Sequence, residues 1–241
     1  MAIQSHKAVL VLADIGGYTR FIKFHDLALV HAETIVTDLL ESVIDCAEHP
    51  LTLNKLEGDA ALFYALADSD PAEVVRSALS QVAGFFDAFA ARRAKIIGET
   101  VCRCSACQGV DQLRIKAILH FGEVALKQVR NFEEIAGQAV IVAHRLLKNG
   151  VTKDEYILVT EAVEGLAPAA LGAAGAPMTE ECEGIGRVRT VVYDPPRQPL
   201  PIPAHAGWAA KLARLARMQV HVYGKRFGLG GGRTYPKLAG L

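Results

Sequence analysis

Apolar residues follow two spacings along the chain, and these spacings predict an ordered series of strands and helices. The run KAVLVLADI is almost continuously apolar and ends at Gly16-Gly17, which predicts a buried strand. ALVHAETIVTDLLESVIDCAEH repeats its apolar residues at helical spacing. LTLNKL and ALFYAL are β-like runs divided by Glu57-Gly58-Asp59, and glycine beside aspartate between such runs is a hairpin signal.

Residues 70–194 continue the series of predicted helices and strands. Asp70-Pro71 supplies a cap and a first-turn proline for a helix that runs to about Lys95. QLRIKAILHFGEVALKQV predicts two strands around His120-Phe121-Gly122, and a helix from about Gly137 to Lys148 stops at Asn149-Gly150. YILVT and RVRTVVYD predict later strands. The order β-α-β-β-α-β predicts an α+β fold of the ferredoxin-like type, which by itself says nothing about function.

Proline content marks a boundary near Asp194. The ten residues from Asp194 to Pro203 include five prolines, a composition typical of an extended linker. We therefore expect one domain over residues 1–194 and a proline-rich linker over residues 195–206. Residues 207–241 are predicted to form a basic amphipathic helix followed by a mobile glycine-rich tail.

Charge is distributed unevenly although the formal net charge is zero. All 26 acidic residues lie at or before Asp194, whereas residues 201–241 carry seven Lys or Arg and no acid. Such a tail is expected to bind an anionic partner. Four partners are consistent with the sequence: the protein's own acidic face, a second subunit, a membrane surface or a nucleic acid.

Cysteine usage and hydropathy indicate the compartment. No apolar run approaches eighteen residues, and the amino-terminal apolar stretch is interrupted by Asp14 without a cleavage-site pattern. Five cysteines, three of them crowded into CRCSAC, argue against a secreted disulfide framework. We expect a soluble, cytoplasmic protein without a transmembrane segment.

Two carboxylates are placed to converge in this fold. Asp14 ends the first strand and Asp59 lies in the turn of the central hairpin, and the ferredoxin-like order puts the first strand in the middle of the sheet. Paired carboxylates suit Mg²⁺ or Mn²⁺, which take their remaining ligands from water and substrate phosphates. The alternative is structural, with Asp14 capping a helix and Asp59 filling a turn.

Four short motifs occur in the order found in one enzyme family. They are ADIGGYTRF, KLEGDAALFYA, IKAILHFGEV and EIAGQAVIVAHRLL, spread over roughly residues 7–148. In this order they resemble the signature segments of the class III adenylate and guanylate cyclases. The resemblance implies a cyclase-type domain, a nucleoside triphosphate ligand, Mg²⁺ or Mn²⁺ as cofactor, and a homodimer.

The resemblance also implies roles for single residues. Lys55 matches a lysine that reads the base in adenylate cyclases, which favours adenine over guanine. The alternative is that Lys55 and Arg145 are only solvated charged residues, on a strand and on a helix. The implied positions are the metal-binding Asp14 and Asp59 with the carbonyl of Ile15, the base-reading Lys55 and Glu134, and Arg145 at the α-phosphate.

The last motif departs from the family pattern. Ile141 stands where the family has an asparagine that stabilises the transition state, Gln138 replaces an aspartate, and His144 replaces a serine. An isoleucine side chain cannot donate a hydrogen bond, so cyclisation is expected to suffer while metal binding survives. With CRCSAC and HRLLKNG, the chain further resembles an uncharacterised bacterial group of cyclase-like proteins.

Cys102, Cys104 and Cys107 form a second candidate site. Three thiolates in a C-x-C-x₂-C pattern can fill three of the four tetrahedral positions of Zn²⁺, with Cys46, Cys182 or a histidine as the fourth ligand. Reduced thiols in a loop are the alternative. The histidines at positions 25, 31, 49 and 144 have no ligand spacing to one another and are interpreted as helix-surface or core residues.

Three functional hypotheses follow. The first is an adenylate cyclase, with Asp14, Asp59 and Lys55 of one subunit and Arg145 of the other around ATP. The second is a binding module in which the same pocket holds metal and nucleotide without efficient cyclisation, and it is favoured by Ile141. The third is an interaction protein with an empty pocket.

Overall fold

The computed structural model describes residues 4–22, 26–130, 132–167, 170–172, 174–196 and 207–216. Its strands form one sheet in the order β2-β3-β1-β4-β6-β8-β7, with β5 paired to β4 outside that path. The strands are β1 (Gln4–Gly16), β2 (Thr52–Glu57), β3 (Ala60–Leu66), β4 (Arg114–Val129), β5 (Phe132–Ala136), β6 (Ile157–Thr160), β7 (Ala176–Cys182) and β8 (Gly186–Tyr193).

Helices connect these strands and cover both faces of the sheet. Asp70 caps the longest one by accepting a hydrogen bond from the Glu73 amide, as the sequence signal predicts. The helices are α1 (Tyr18–Ile22), α2 (Asp26–Cys46), α3 (Pro71–Glu99), α4 (Ser105–Gln108), α5 (Gln138–Arg145), α6 (Glu161–Glu164) and α7 (208–216), with a 3₁₀ turn at Val110–Gln112.

The central four strands have the ferredoxin-like arrangement. β1 lies between β3 and β4 and is antiparallel to both, and β2 pairs with β3 across the expected hairpin. The hairpin turns at Gly58, whose φ of 64° is in the region that glycine adopts without steric cost. The predicted α+β fold of the ferredoxin-like type is therefore confirmed.

Alternate residues of the central strands supply two separate cores. Val9, Val11 and their same-face neighbours pack against α2 and α3, whereas Leu10 and Leu12 pack against α5 on the opposite face. This alternation follows from the two-residue period of a strand. It places the even-numbered residues of β1, including Asp14, on the α5 face of the sheet.

The segment around His120 differs from the sequence prediction. β4 is one continuous strand of 16 residues rather than two strands around His120-Phe121-Gly122. Gly122 pairs with Ala8 of β1 and does not turn the chain. Its small size serves packing, because an added Cβ would lie 2.8 Å from the Cβ of Ala139 in α5. β5 and β7 were not predicted.

The carboxy-terminal helix α7 contacts the domain through a basic residue. Arg214 is 9% exposed, and its guanidinium lies 3.6 Å from Asp38 in α2 and 3.8 Å from Glu99 in α3. Trp208 and Leu212 are 77% and 54% exposed, so the apolar side of this helix faces outward. Within residues 208–216 the tail thus contacts the protein's own acidic side chains.

Parts of the predicted domain organisation lie outside the described residues. Residues 197–206 of the linker and residues 217–241 of the tail belong to this part of the chain, as does His25. The boundary near Asp194 stays a prediction, although β8 ends at Tyr193.

Candidate functional site

The structure brings the three predicted metal-binding positions together. Asp14 ends the pairing of β1 with β3, opposite Ala60, so it lies beside the hairpin turn that holds Asp59. The Ile15 amide donates to the Asp59 carbonyl at 3.1 Å, which ties the turn to the end of β1. Residues 45 positions apart in sequence therefore share one edge of the sheet.

The two carboxylates influence each other electrostatically. Burial raises the pKa of Asp59 to about 6, and the negative charge of Asp14 adds to this rise. An excess of negative charge in a half-buried position is what a divalent cation relieves. The donor set at Asp14, Ile15 and Asp59 therefore fits Mg²⁺ or Mn²⁺ in its chemistry.

Lys116 supplies a cation to this site from within the chain. Its ammonium lies 3.0 Å from Oδ2 of Asp14, and both side chains are largely buried. The same ammonium donates to the Leu147 carbonyl at 3.0 Å, beyond the carboxy-terminal end of α5. A metal ion bound by Asp14 would therefore compete with Lys116 for this carboxylate.

A further carboxylate borders the pair from helix α2. Glu33 accepts a hydrogen bond from the Tyr18 hydroxyl at 2.8 Å. Burial and this hydrogen bond raise the pKa of Tyr18 to about 12. Glu33 also contributes to the raised pKa of Asp59. Tyr18 thus links the loop after β1 to α2.

The predicted nucleotide-binding residues line a cleft on the α5 side of the sheet. The cleft has a volume of about 640 Å³. Its walls come from β2, β5 and α5. The lining residues are Lys55, Glu57, Glu134, Ile135, Ala136, Gly137, Gln138, Val140, Ile141 and His144.

Lys55 and Glu134, the two predicted base-reading residues, face each other in this cleft. Their charged atoms are 3.4 Å apart, and Glu57 lies 3.0 Å from the same ammonium. Burial lowers the pKa of Lys55, but the carboxylates of Glu57 and Glu134 outweigh this effect and raise it above its usual value. The side-chain amide of Asn54 donates to the Glu133 carbonyl at 3.3 Å, which holds β5 against β2.

Ile141 and Arg145 occupy different surroundings on α5. Ile141 is 51% exposed and lines the cleft, so the residue at the family's asparagine position does face the candidate nucleotide site. The Arg145 guanidinium lies 3.1 Å from Glu183 in the β7–β8 turn. Both of those side chains are largely exposed, and exposed ion pairs contribute little, so Arg145 is free to change partner.

The cleft bears on the expected division of the site between two subunits. Lys55 shares it with Ile141 of α5 in its own chain, because β2 and β5 lie side by side there and are joined through Asn54. Arg145 does not line this cleft and contacts Glu183 instead, so its placement in the opposite subunit stays a prediction.

The sequence did not predict three ion pairs at the site: Lys116 with Asp14, His144 with Glu57, and Lys55 with Glu57. Lys116 is a charged residue inside an apolar strand pattern, and its even position puts it on the same face of the sheet as Ile118. His144 lies 3.2 Å from Glu57, which also contacts Lys55. The strand period alone could have signalled Lys116, because a charge on a buried face requires a partner.

The cysteine cluster gains a fourth member in the structure. Nδ1 of His31 lies 3.4 Å from the sulfur of Cys104, 3.7 Å from that of Cys102 and 3.8 Å from that of Cys107. The fold carries α2 to the loop that follows α3, so His31, interpreted from sequence as a helix-surface or core residue, lies beside all three thiols. Within the described ranges, these four residues are the one such group with ligand atoms all within 4.8 Å of one another.

The comparisons with known proteins establish a family and a fold. The sheet order is that of class III nucleotidyl cyclase domains, which is a likeness of fold alone. The chain belongs to the family described as "Protein of unknown function (DUF2652)", whose sequence model matches residues 36–156. It is also 36% identical over 173 residues to "Uncharacterized protein Rv2561/Rv2562" of Mycobacterium tuberculosis, covering 71% of this chain and 79% of that protein.

Two solved structures show the same fold at low sequence identity. The adenylyl cyclase CyaB from P. aeruginosa superposes with a TM-score of 0.58 at 15% identity, covering 83% of this chain and 100% of that one. The guanylyl cyclase Cya2 superposes with a TM-score of 0.62 at 13% identity, covering 80% and 93%. Over the residues that the structure describes, no helix has the length and apolar character needed to cross a membrane.

Proposed function

We propose that this protein is a divergent cyclase-like domain that binds a nucleoside triphosphate with a divalent cation and cyclises it poorly or not at all. The observation that carries the proposal is the cleft in which Lys55 and Glu134 face each other beside Ile141. The first two residues are suited to recognising a base. The third lacks the hydrogen-bond donor that catalysis in the family uses.

Adenine is the base that this pair favours. Its Watson–Crick edge presents an acceptor, N1, beside a donor, the N6 amino group. Lys55 offers a permanent cationic donor, and Glu134 offers an acceptor 3.4 Å away. A guanine would put its N1–H donor against Lys55 when bound in the same orientation, which leaves a donor facing a donor. ATP is therefore the proposed ligand in preference to GTP.

Asp14, Asp59 and the carbonyl of Ile15 would hold the divalent cation. When bound, Mg²⁺ or Mn²⁺ would neutralise phosphate charge and lower the pKa of an attacking hydroxyl. The chain's own contribution is to hold the hairpin turn that carries Asp59 against the end of β1 through the Ile15 to Asp59 backbone hydrogen bond, while the cation would displace Lys116 from Asp14. Arg145, which has only an exposed partner, is the residue proposed to reach the α-phosphate.

A homodimer is part of the proposal. The Lys55 cleft is lined by α5 of the same chain. The resemblance to the cyclases implies that the metal-binding residues and the residues that stabilise the transition state come from opposite subunits. A second copy would bring its Asp14 and Asp59 to the cleft that contains Lys55. Nucleotide binding is therefore expected to depend on protein concentration, which sedimentation in the presence and absence of Mn-ATP would measure.

Calorimetric titration of ATP and GTP with Mn²⁺, followed by chromatography of the products, tests the proposal. We expect ATP to bind more tightly than GTP and little or no cyclic product to form. Lys55→Ala should weaken ATP binding at least about tenfold, as expected for a lost charged hydrogen bond. Lys95→Ala is the control, because this lysine is exposed on the opposite face of the sheet. Equal affinities of both variants would contradict the proposed cleft.

Two other functions are distinguished by the same titration. Efficient conversion of ATP to cyclic AMP would show an active adenylate cyclase despite Ile141. Failure to bind any nucleotide would favour an interaction protein with an empty pocket. One observation favours this last function, because the charged side chains already pair within the chain. Lys116 contacts Asp14, and Lys55 contacts both Glu57 and Glu134.

The basic tail is proposed to bind an anionic surface. Arg214 contacts Asp38 and Glu99, and the sequence that follows it adds five Lys or Arg and no acidic residue, a composition suited to an anionic partner. Replacing Lys225 and Arg226 by glutamate should weaken sedimentation with phosphatidylserine vesicles in a salt-dependent manner. Lys95→Glu is the matched control, and equal binding by both variants would reject this role.

A further inference from the structure

Four soft ligands meet between helix α2 and the loop that follows α3. His31 comes from α2, whereas Cys102, Cys104 and Cys107 come from a segment more than seventy residues later. Cys107 is buried and the other three are half-buried. The two segments are thus joined at one point by side chains that have metal-binding chemistry.

The separations between these atoms match those of a tetrahedral metal site. Zinc with bonds of about 2.3 Å to sulfur and about 2.0 Å to nitrogen separates adjacent S and N ligands by roughly 3.5 Å. The three sulfurs lie 3.4 to 3.8 Å from Nδ1 of His31. Ordinary core packing does not place three thiols around one imidazole nitrogen at this spacing.

The backbone around the cluster supports the ligand positions. Cys104 is the N-cap of α4, and its sulfur accepts a hydrogen bond from the Cys107 amide at 3.5 Å. Hydrogen bonds to ligand atoms orient them in metal sites. Three thiolates and one imidazole select a soft or borderline cation such as Zn²⁺ over Mg²⁺, which requires oxygen ligands.

We infer that His31, Cys102, Cys104 and Cys107 bind one Zn²⁺ in a closed structural site. With four protein ligands there is no open position for water or substrate, so the site is structural rather than catalytic. Its effect is to fasten α2 to the α3–β4 connection. That connection also packs on α1, since Gly109 lies against the ring of Phe21.

The site therefore acts on the same segments that border Asp59. α1 carries Tyr18, whose hydroxyl binds Glu33 two positions after His31 on α2. Zinc would hold this arrangement rigid without taking part in nucleotide binding. The inference does not depend on the proposed function, because it concerns a different set of ligands.

Elemental analysis of protein purified without added metal is the first test. We expect about one zinc per chain in the wild type and a loss of most of it in Cys104→Ser and His31→Ala. Cys46→Ala and Cys182→Ala are the matched controls, because these two cysteines lie outside the cluster. Circular dichroism at each step separates loss of metal from loss of fold.

Cobalt substitution and chelation give two readouts on the wild-type chain itself. Co²⁺ in the site should show the thiolate charge-transfer and tetrahedral absorption bands of a three-sulfur, one-nitrogen centre, and Zn²⁺ should displace it. Removing the metal with a chelator should lower Tm, and adding zinc should restore it. Absence of zinc from the wild type, or a mass that shows a disulfide among the three cysteines, would overturn the inference. Retention of zinc by His31→Ala at wild-type affinity would overturn the role of His31.

Discussion

The ammonium of Lys116 lies 3.0 Å from a carboxylate oxygen of Asp14, at the position where the resemblance to cyclases implies a divalent cation. Both side chains belong to central strands, with Asp14 directly opposite Lys116 in the β1–β4 pairing. The chain thereby supplies its own countercharge to half of the carboxylate pair. Asp59, the other half, has a raised pKa instead.

Replacing Lys116 by methionine should convert this internal ion pair into a better metal site. Without the ammonium, Asp14 is left half-buried and without this partner, so we expect the free energy of unfolding to fall by about 1–3 kcal/mol in the absence of metal. Mn²⁺ should then bind more tightly than to the wild type and recover part of the loss. Thermal unfolding with and without Mn²⁺ measures both effects.

Lys153→Met is the control for this substitution. Lys153 pairs with Asp194 at 2.6 Å, but both side chains are largely exposed, so its removal should change Tm little and should not depend on Mn²⁺. A Lys116→Met protein that is as stable as the wild type and indifferent to Mn²⁺ would show that Asp14 is no metal ligand.

Gly122→Ala tests the close approach of β4 to α5. An added Cβ would meet the Cβ of Ala139 at 2.8 Å, so the helix that carries Ile141 and Arg145 would have to shift. We expect a loss of about 1–3 kcal/mol in unfolding free energy, measured by denaturant titration. Gly98→Ala, in helix α3 with open space around its Cα, should instead be neutral or slightly stabilising. Equal effects of the two substitutions would contradict this packing.

His120 is expected to make stability depend on pH. Burial lowers its pKa from 6.5 to about 4, and Nδ1 lies 3.0 Å from the Thr160 hydroxyl. The unfolded chain therefore binds a proton between these two values and the folded chain does not, so stability falls as the pH falls through this window. His120→Gln should remove about 3 kcal/mol of the stability change across this window. Denaturant midpoints of both proteins from neutral to acidic pH give the comparison, and parallel curves would exclude His120 as a cause.

Much of the fold follows from local patterns. The run before Gly16 and the hairpin at Gly58 are correctly predicted, because each depends on neighbouring residues alone. β4 was wrongly divided, because a glycine beside a histidine resembles a turn signal when its partner across space is unknown. Ala139 is that partner, and it is identifiable only once β4 and α5 are packed together.

The candidate site was predicted less completely than the fold. The motif positions Lys55 and Glu134 do meet in one cleft, which supports using them as a pair. Lys116 and His31 were missed because their roles depend on residues far away in sequence. Sequence spacing carries no information about such contacts, whereas the face on which a residue lies carries some.

The last prediction concerns Ile141, whose side chain faces the candidate nucleotide cleft. It is 51% exposed, so replacing it by asparagine loses little buried apolar surface and should leave the fold intact. If Lys55, Glu134 and Arg145 hold a nucleotide as proposed, the new amide lies near the reacting groups. Ile141→Asn should then increase formation of cyclic AMP from Mn-ATP, by up to about 10²-fold.

The change should appear in kcat and much less in KM, since a donor used only in the transition state adds little to substrate binding. Ile97→Asn is the matched control, because Ile97 is 45% exposed on α3, against the other face of the sheet. An Asp14→Asn, Ile141→Asn double variant provides the blank. If Ile141→Asn forms no more product than this blank while still binding Mn-ATP, then α5 does not reach the reacting phosphate, and a nucleotide-binding module without cyclase chemistry is the better description.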